Sequence, residues 1–210
     1  YNAATGTRRW LVTAAEGLFA RDLVMDDARV YVTGQGNVGT QAFLTVVAHD
    51  RATGARLWRT DRRPAGATSA AGLRIAMAPD GSLVATGQVA LQWFLDWYTV
   101  AFETSGDVRW DAIRDGGMNW HEIPRGVLVT ADGTTVVTGP GGPNLPGGLI
   151  QGVTAGYRPE GVLSWQGPTP LADPTGRGLP SSRALGAPGG SAPIPPLLRV
   201  ATPASTPPPS

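Results

Sequence analysis

Hydrophobic positions in this chain occur in short runs rich in β-branched and aromatic residues, and turn-forming residues separate the runs at close intervals. Asp80-Gly81 and Ser105-Gly106 have the composition of hairpin turns, with strand-like runs on either side. No stretch has the spacing of an amphipathic helix of useful length. The pattern therefore predicts an all-β protein, and in this part of the chain it predicts four strands, near residues 72–78, 82–87, 96–103 and 107–112.

This pattern recurs along the chain. A glycine is followed four residues later by a tryptophan at Gly6/Trp10, Gly54/Trp58, Gly106/Trp110 and Gly161/Trp165, with 48, 52 and 55 residues between successive tryptophans. A Thr-Gly pair that ends a strand-like run precedes each of the last three, at Gly34, Gly87 and Gly139. A turn sequence precedes that pair in each unit: "MDDAR" at 25–29, Asp80-Gly81 and Asp132-Gly133. Three features in register at one period indicate a structural repeat.

Four-stranded units with a period of about 50 residues are typical of β-propeller blades. The sequence therefore predicts a partial propeller over residues 1–166, with a partial blade at 1–13 and full blades at 14–61, 62–112 and 113–166. Residues 167–210 are rich in Pro, Gly, Ala and Ser, and we expect them to form a disordered tail.

The first full unit contains Ala48-x-Asp50-x-x-Thr53-Gly54-x-x-x-Trp58, which resembles the tryptophan-docking repeat of quinoprotein-type, pyrroloquinoline-quinone-like β-propellers. The longer pattern is also similar to β-propeller repeats of bacterial surface proteins, and it covers roughly residues 1–166. The second unit has Glu103 in place of the aspartate and one residue fewer before its glycine, and the third, "YRPEG", lacks both the acid and the threonine. We expect the docking geometry to loosen toward the C-terminus.

The repeated residues suit a structural role. A turn carboxylate and threonine hydroxyl can cap backbone amides, glycine accepts a positive φ, and an indole on the outer strand can fill the wedge between neighbouring blades. The predicted docking residues are Gly6, Trp10, Asp50, Thr53, Gly54, Trp58, Glu103, Gly106, Trp110, Gly161 and Trp165.

Other motifs have simpler interpretations than a cofactor or metal site. "GQGNVG" at 34–39 matches the dinucleotide fingerprint, but no helix or correctly spaced acid follows it, so we interpret its glycines as an inter-strand loop. His49 lies inside the docking turn, and the acids at Asp26-Asp27, Asp80 and Asp132 lack the multiple spaced oxygens of a calcium loop. The sequence predicts no cofactor, no metal and no catalytic residue.

Composition narrows the classes of function. The 210 residues carry a net charge of +1, which gives no electrostatic argument for a nucleic-acid partner, and no apolar run has the length of a membrane span. The chain contains no cysteine, which excludes disulfides and thiolate chemistry. All 17 basic residues are arginine, as in proteins from GC-rich bacterial genomes.

One cluster suggests a binding site. In a four-stranded meander, loops after the second strand and loops between units emerge on the same face, and the sequence predicts such loops at 88–96 and 113–123. These two segments supply a tentative ligand rim for a sugar or a peptide, made of Trp93, Asp96, Trp120, His121 and Glu122. The alternative is that both indoles pack into the junction between the units.

The resulting hypothesis is a non-enzymatic bacterial β-propeller protein, extracellular, on the cell surface or periplasmic, that acts as a binding or scaffolding module. One alternative is a fragment of a pyrroloquinoline-quinone-dependent dehydrogenase, against which the absence of the vicinal cysteine pair of that group argues. Another is a scaffold subunit in envelope assembly. The chain begins at Tyr1, and a closed propeller has about four to eight blades. We therefore expect N-terminal blades of the same chain to be missing from this sequence and to be partners of these units.

Overall fold

The computed structural model describes residues 4–13, 17–91, 94–116, 122–145 and 149–168. Twelve β-strands and their connections account for these residues, and no helix occurs among them. The expected all-β class is confirmed. No helix in this part of the chain is therefore long and apolar enough to cross a bilayer.

The strands form three successive antiparallel meanders of four strands each, which we call units 1, 2 and 3. Unit 1 contains β1 (Leu18–Met25), β2 (Arg29–Val38), β3 (Gln41–Asp50) and β4 (Arg56–Arg62). Unit 2 contains β5 (Ser69–Met77), β6 (Leu83–Leu91), β7 (Phe94–Phe102) and β8 (Val108–Arg114). Unit 3 contains β9 (Gly126–Val129), β10 (Thr135–Leu145), β11 (Leu149–Tyr157) and β12 (Leu163–Pro168).

Units 1 and 2 belong to one eight-stranded sheet, because the residue pair Ala42 and Ser69 joins β3 to β5 in parallel. Unit 3 is a separate four-stranded sheet with the order β12-β11-β10-β9. Within the described ranges the strands do not close into a barrel or a ring. Most of the expected tail lies outside these ranges, although β12 extends one residue past Gly167.

The buried residues lie between the units. One cluster combines Tyr31 and Leu44 of unit 1 with Leu83 and Phe102 of unit 2. A second cluster combines Trp97 of unit 2 with residues of unit 3: Val137, Val153, Ala155 and Tyr157. Each core is therefore a junction between two successive units.

The repeated Thr-Gly pair has a structural cause within each unit. Gly34 and Gly87 each lie opposite a bulge in the first strand of their unit, where the register skips Arg21 and Leu73 respectively. The bulge brings a backbone carbonyl so close that a β-carbon on either glycine would overlap it. Only glycine permits this approach, which explains why it recurs at the same place.

The interpretation of "GQGNVG" as an inter-strand loop is wrong. Gly34 and Gly36 lie within β2, and the turn begins only at Gly39, whose φ is 60°. Gly36 packs against the side chains of Thr45 and Arg59, where a β-carbon would collide with both. The glycines therefore permit close packing across the sheet.

Candidate functional site

The docking turn of unit 1 is held by the two side chains that the sequence singled out. Oδ1 of Asp50 accepts hydrogen bonds from the backbone amides of Ala52 (3.1 Å) and Thr53 (2.8 Å) and from the Thr53 hydroxyl (2.7 Å). These bonds to the charged form, chiefly those from Thr53, lower the pKa of Asp50. Gly54 closes the turn at a φ of 78°, a conformation that side chains with a β-carbon disfavour.

Units 2 and 3 have a shorter docking turn. The Gly106 amide donates to the Glu103 carbonyl at 2.9 Å, and the Gly161 amide donates to the Arg158 carbonyl at 2.8 Å. Oε1 of Glu103 forms an ion pair with Nε of Arg109 at 3.2 Å. Deleting one residue therefore changes the form of the turn while keeping its glycine at a positive φ.

Three tryptophans dock on these turns: Trp58 and Trp110, on the last strands of units 1 and 2, dock on the following unit, and Trp10, which precedes β1, docks on unit 1. The indole nitrogens of Trp10 and Trp58 donate to the carbonyls of Arg51 and Thr104, each at 2.9 Å. That of Trp110 donates to the Pro159 carbonyl at 2.7 Å. The ring itself covers the turn glycine, and a β-carbon there would lie 2.8 Å from Trp10 at Gly54, 2.8 Å from Trp58 at Gly106 and 2.6 Å from Trp110 at Gly161.

The indole hydrogen bonds do not lengthen toward the C-terminus, although the last of the three is the most exposed. The shortest of the three indole hydrogen bonds is the one to Pro159, in the unit that lacks both the acid and the threonine. The reason is that docking uses only a backbone carbonyl and the bare α-carbon of glycine. Asp50 and Thr53 stabilise their own turn, but neither side chain accepts the hydrogen bond from the indole.

Among the described residues, the remaining two predicted docking residues form no such pair. Trp165 is 37% exposed and packs over Gly156 of its own unit. Gly6 has a φ of 66°, and a β-carbon there would meet no atom within 4 Å.

The acids that were candidates for calcium loops instead cap their own turns. Oδ1 of Asp80 accepts from the Ser82 hydroxyl (2.6 Å) and amide (3.0 Å), and Oδ2 accepts from Nη1 of Arg109 (2.9 Å). These bonds lower the pKa of Asp80 to about 2. Asp132 accepts in the same way from Thr130 and Thr134. In the described part of the chain, no three His, Cys, Asp or Glu residues come together as a metal site.

The tentative ligand rim falls partly outside the described residues, which do not include Trp93, Trp120 or His121. The predicted loop at 88–96 is mostly strand, because β6 continues to Leu91 and β7 begins at Phe94. The sequence "QVALQWFLD" is apolar enough to continue both strands, and only residues 92–93 separate them. Asp96 and Glu122 lie in the described part and are buried, with 8% and 2% of their surface exposed.

Glu122 takes part in a buried network centred on Arg114 at the end of β8. Nη1 of Arg114 donates to Oε2 of Glu122 at 2.7 Å, and Nη2 donates to the Gly141 carbonyl at 2.8 Å. Its Nε donates to Oε1 of Gln166 at 3.0 Å, and the guanidinium lies 4.7 Å from the centre of the Trp97 ring. One side chain thus ties β8 of unit 2 to two strands of unit 3 and to the segment that enters β9.

The buried groups around Arg114 include more carboxylates than cations. Burial raises the pKa of Glu122, Arg114 opposes this shift, and Asp96 adds to it. Burial, followed by repulsion from Asp115, also raises the pKa of Asp96. Oε1 of Glu122 is buried without a hydrogen-bond partner among the described residues. Two desolvated carboxylates therefore share one principal cation.

Sequence reasoning did not identify Arg114 or Trp97. The available signal was an arginine four residues after the tryptophan in two units, Trp58/Arg62 and Trp110/Arg114. Arg62 forms a more exposed pair with Asp111, with Nη2 at 2.9 Å from Oδ2 and the two side chains 39% and 36% exposed. The spacing places the arginine, but the buried partners come from segments distant in sequence.

Comparison with known proteins assigns no family, since no protein-family model and no curated protein matches this chain.

Replacing Trp58 with alanine should cost roughly 3–5 kcal/mol of unfolding free energy, because it removes the indole between units 1 and 2 and its bond to Thr104. The same change at Trp165 should cost less, about 2 kcal/mol, since 37% of that residue is exposed. Urea unfolding followed by circular dichroism measures both. Equal losses at the two positions would contradict the docking role.

Two glycines of unit 2 separate docking from backbone strain. Gly81 and Gly106 both have positive φ, 84° and 95°, so alanine should cost about 1 kcal/mol at either for conformation alone. Only at Gly106 does the new methyl collide with an indole, whereas a β-carbon at Gly81 meets nothing within 4 Å. Gly106→Ala should therefore cost about 2 kcal/mol more than Gly81→Ala in the same unfolding experiment. Similar values would show that the indole is displaced at no cost.

Glu122→Gln should destabilise the chain by about 3 kcal/mol, because it leaves Arg114 buried without its nearest counter-charge. The matched control is Asp111→Asn in the half-exposed Arg62 pair, which should cost under about 1 kcal/mol. Asparagine keeps an acceptor for the Tyr98 hydroxyl, which Asp111 also binds. A control that loses as much as Glu122→Gln would show that burial does not set the value of these pairs.

Proposed function

We propose that the three units are consecutive blades of a β-propeller and that the chain is a non-enzymatic binding or scaffolding module of a bacterial envelope or secreted protein. The observation that carries this proposal is the joint that repeats between units. Three times an indole docks on the glycine turn of the unit that follows it in the chain, from β4 and β8 and from the segment before β1. A constant joint between like units generates a regular array, of which a propeller is the closed form.

A binding role suits the chemistry of the described residues better than catalysis does. The carboxylates of Asp50 and Asp132 are occupied by hydrogen bonds within their own turns. Glu122 is buried in an ion pair that joins two units. These groups hold the scaffold rigid, and a rigid scaffold is what binding loops require.

The junction between units 2 and 3 is the best candidate for the binding region. The Arg114 network fixes one end of it, next to the segment that carries Trp120 and His121 in the sequence. A surface cavity lies beside Trp110 and is also lined by Pro159 of the docking turn in unit 3. An extracellular, cell-surface or periplasmic location would suit such a module, and its ligand would be a protein or a carbohydrate.

The proposal is tested by probing the immobilised chain with peptidoglycan fragments, capsular polysaccharide and a random peptide library. In parallel, pyrroloquinoline quinone and calcium are titrated, and dye reduction is measured with alcohols and aldoses. We expect saturable binding of a glycan or a peptide and no quinone-dependent turnover. Binding should weaken in Trp58→Ala if it needs the docked scaffold. Quinone-dependent dye reduction would instead support the dehydrogenase fragment, and a chain that binds no probe would contradict the binding module.

A further inference from the structure

The cavity between units 2 and 3 has a volume of about 440 Å³. Unit 2 contributes Val84, Ala101 and Trp110 to its walls, and unit 3 contributes Thr135 and Pro159. Carboxylates and a guanidinium lie along its lining: Asp80, Asp132 and Arg109. The cavity thus combines an apolar floor with charged groups, as small-molecule sites commonly do.

The strand register identifies the same place in the junction between units 1 and 2. Tyr31, Ala48 and Trp58 are cross-strand neighbours in unit 1, and Val84, Ala101 and Trp110 are the same neighbours in unit 2. Residues in one cross-strand row share a face of the sheet. Tyr31 and Val84 therefore occupy equivalent positions, next to equivalent tryptophans.

In the first junction the tyrosine fills this place. Tyr31 is fully buried, and its ring centre lies 6.0 Å from that of Trp58. Its hydroxyl donates to Oδ2 of Asp26 at 3.0 Å and also interacts with Arg29. The phenol thus lies over the sheet with its hydroxyl at a carboxylate and a guanidinium.

In the second junction three of the corresponding side chains are smaller, whereas Tyr157 takes the register position of Phe102 and stacks on Trp110 with ring centres 6.1 Å apart. Valine replaces the tyrosine, and Ser82 stands where unit 1 has Arg29. Thr135 of unit 3 occupies the register position of Leu83 in unit 2, opposite the end of the first strand. The carboxylate and guanidinium are nevertheless present, because Asp80 and Arg109 are bonded at 2.9 Å at the cavity.

We infer that this cavity binds a hydroxylated aromatic ring, which would take the place that Tyr31 occupies in the preceding junction. The ring would enter the cavity beside Trp110, toward Val84 and Ala101, which are each 2% exposed, and its hydroxyl would face the pair of Asp80 and Arg109. The inference rests on the proposed binding function and names the ligand class. The ring can come from a free phenol or from a tyrosine side chain of a peptide, and the experiment separates these two sources.

The probes are p-cresol, a short peptide with one tyrosine, and toluene as the ring without a hydroxyl. Titration calorimetry and tryptophan fluorescence of the wild-type chain should show saturable binding of p-cresol. Toluene should bind at least about tenfold more weakly than p-cresol, because it lacks the hydroxyl that faces Asp80. If the tyrosine peptide binds about tenfold more tightly than p-cresol, the source is a peptide; if it binds no better, the source is a free phenol.

Val84→Tyr is the decisive variant, since it supplies to unit 2 the side chain that fills unit 1. It should raise the melting temperature and weaken p-cresol binding by about tenfold or more. Tyr31→Val is the matched reverse change, which should open a second p-cresol site in the first junction. If Tyr31→Val does not fold, Val84→Tyr still decides the question.

Two results would overturn the inference. One is the absence of saturable p-cresol binding to the wild-type chain, and the other is binding that Val84→Tyr leaves unchanged. Failure of the binding module itself would look different, because peptidoglycan fragments, polysaccharide and the peptide library would then all fail as well. A library ligand that still binds Val84→Tyr would locate the module's site elsewhere.

Discussion

The structure depends on the close approach of an indole to a glycine that has no side chain. At Gly54, Gly106 and Gly161 the α-carbon is covered by a tryptophan ring from earlier in the chain, at a distance that no β-carbon allows. A hydrogen bond from the indole to a turn carbonyl fixes the ring in its plane. The joint therefore combines apolar burial with one directional bond, and both partners on the receiving side are backbone.

Because the receiving side is backbone, the rest of the turn is free to vary. Asp50 and Thr53 stabilise one turn with side-chain bonds, and Glu103 instead pairs with Arg109. The docked indole sets the spacing of two units. The side chains that face the junction then determine how buried and how polar that junction is. The same position in the repeat carries Arg62, which forms a half-exposed ion pair, and Arg114, which forms a buried one.

Much of the fold follows from local sequence, because strands, hairpins and the Gly-Trp spacing are short-range patterns. The four strands expected in unit 2 are present, although each differs by a few residues from its expected bounds. Sequence-based prediction failed where packing across the sheet matters. The local sequence predicts a loop at Gly36, but this residue lies in a strand, packed against Thr45 and Arg59. The Arg114 network and the cavity depend on register between distant segments, which spacing along the chain does not encode.

The second junction must also account for the free energy of its cavity. A sealed dry void of about 440 Å³ would cost on the order of 10 kcal/mol, comparable with the whole stability of a domain. This cavity avoids that cost because it opens to solvent, and Asp80, Arg109 and Asp132 along its walls give water or a polar ligand hydrogen-bonding partners. In the first junction Tyr31 meets the same requirement with a side chain of the chain itself. The two junctions are thus two solutions to one packing problem: Tyr31 fills the first beside Trp58, whereas the second buries Tyr157 against Trp110 and leaves an open cavity next to them.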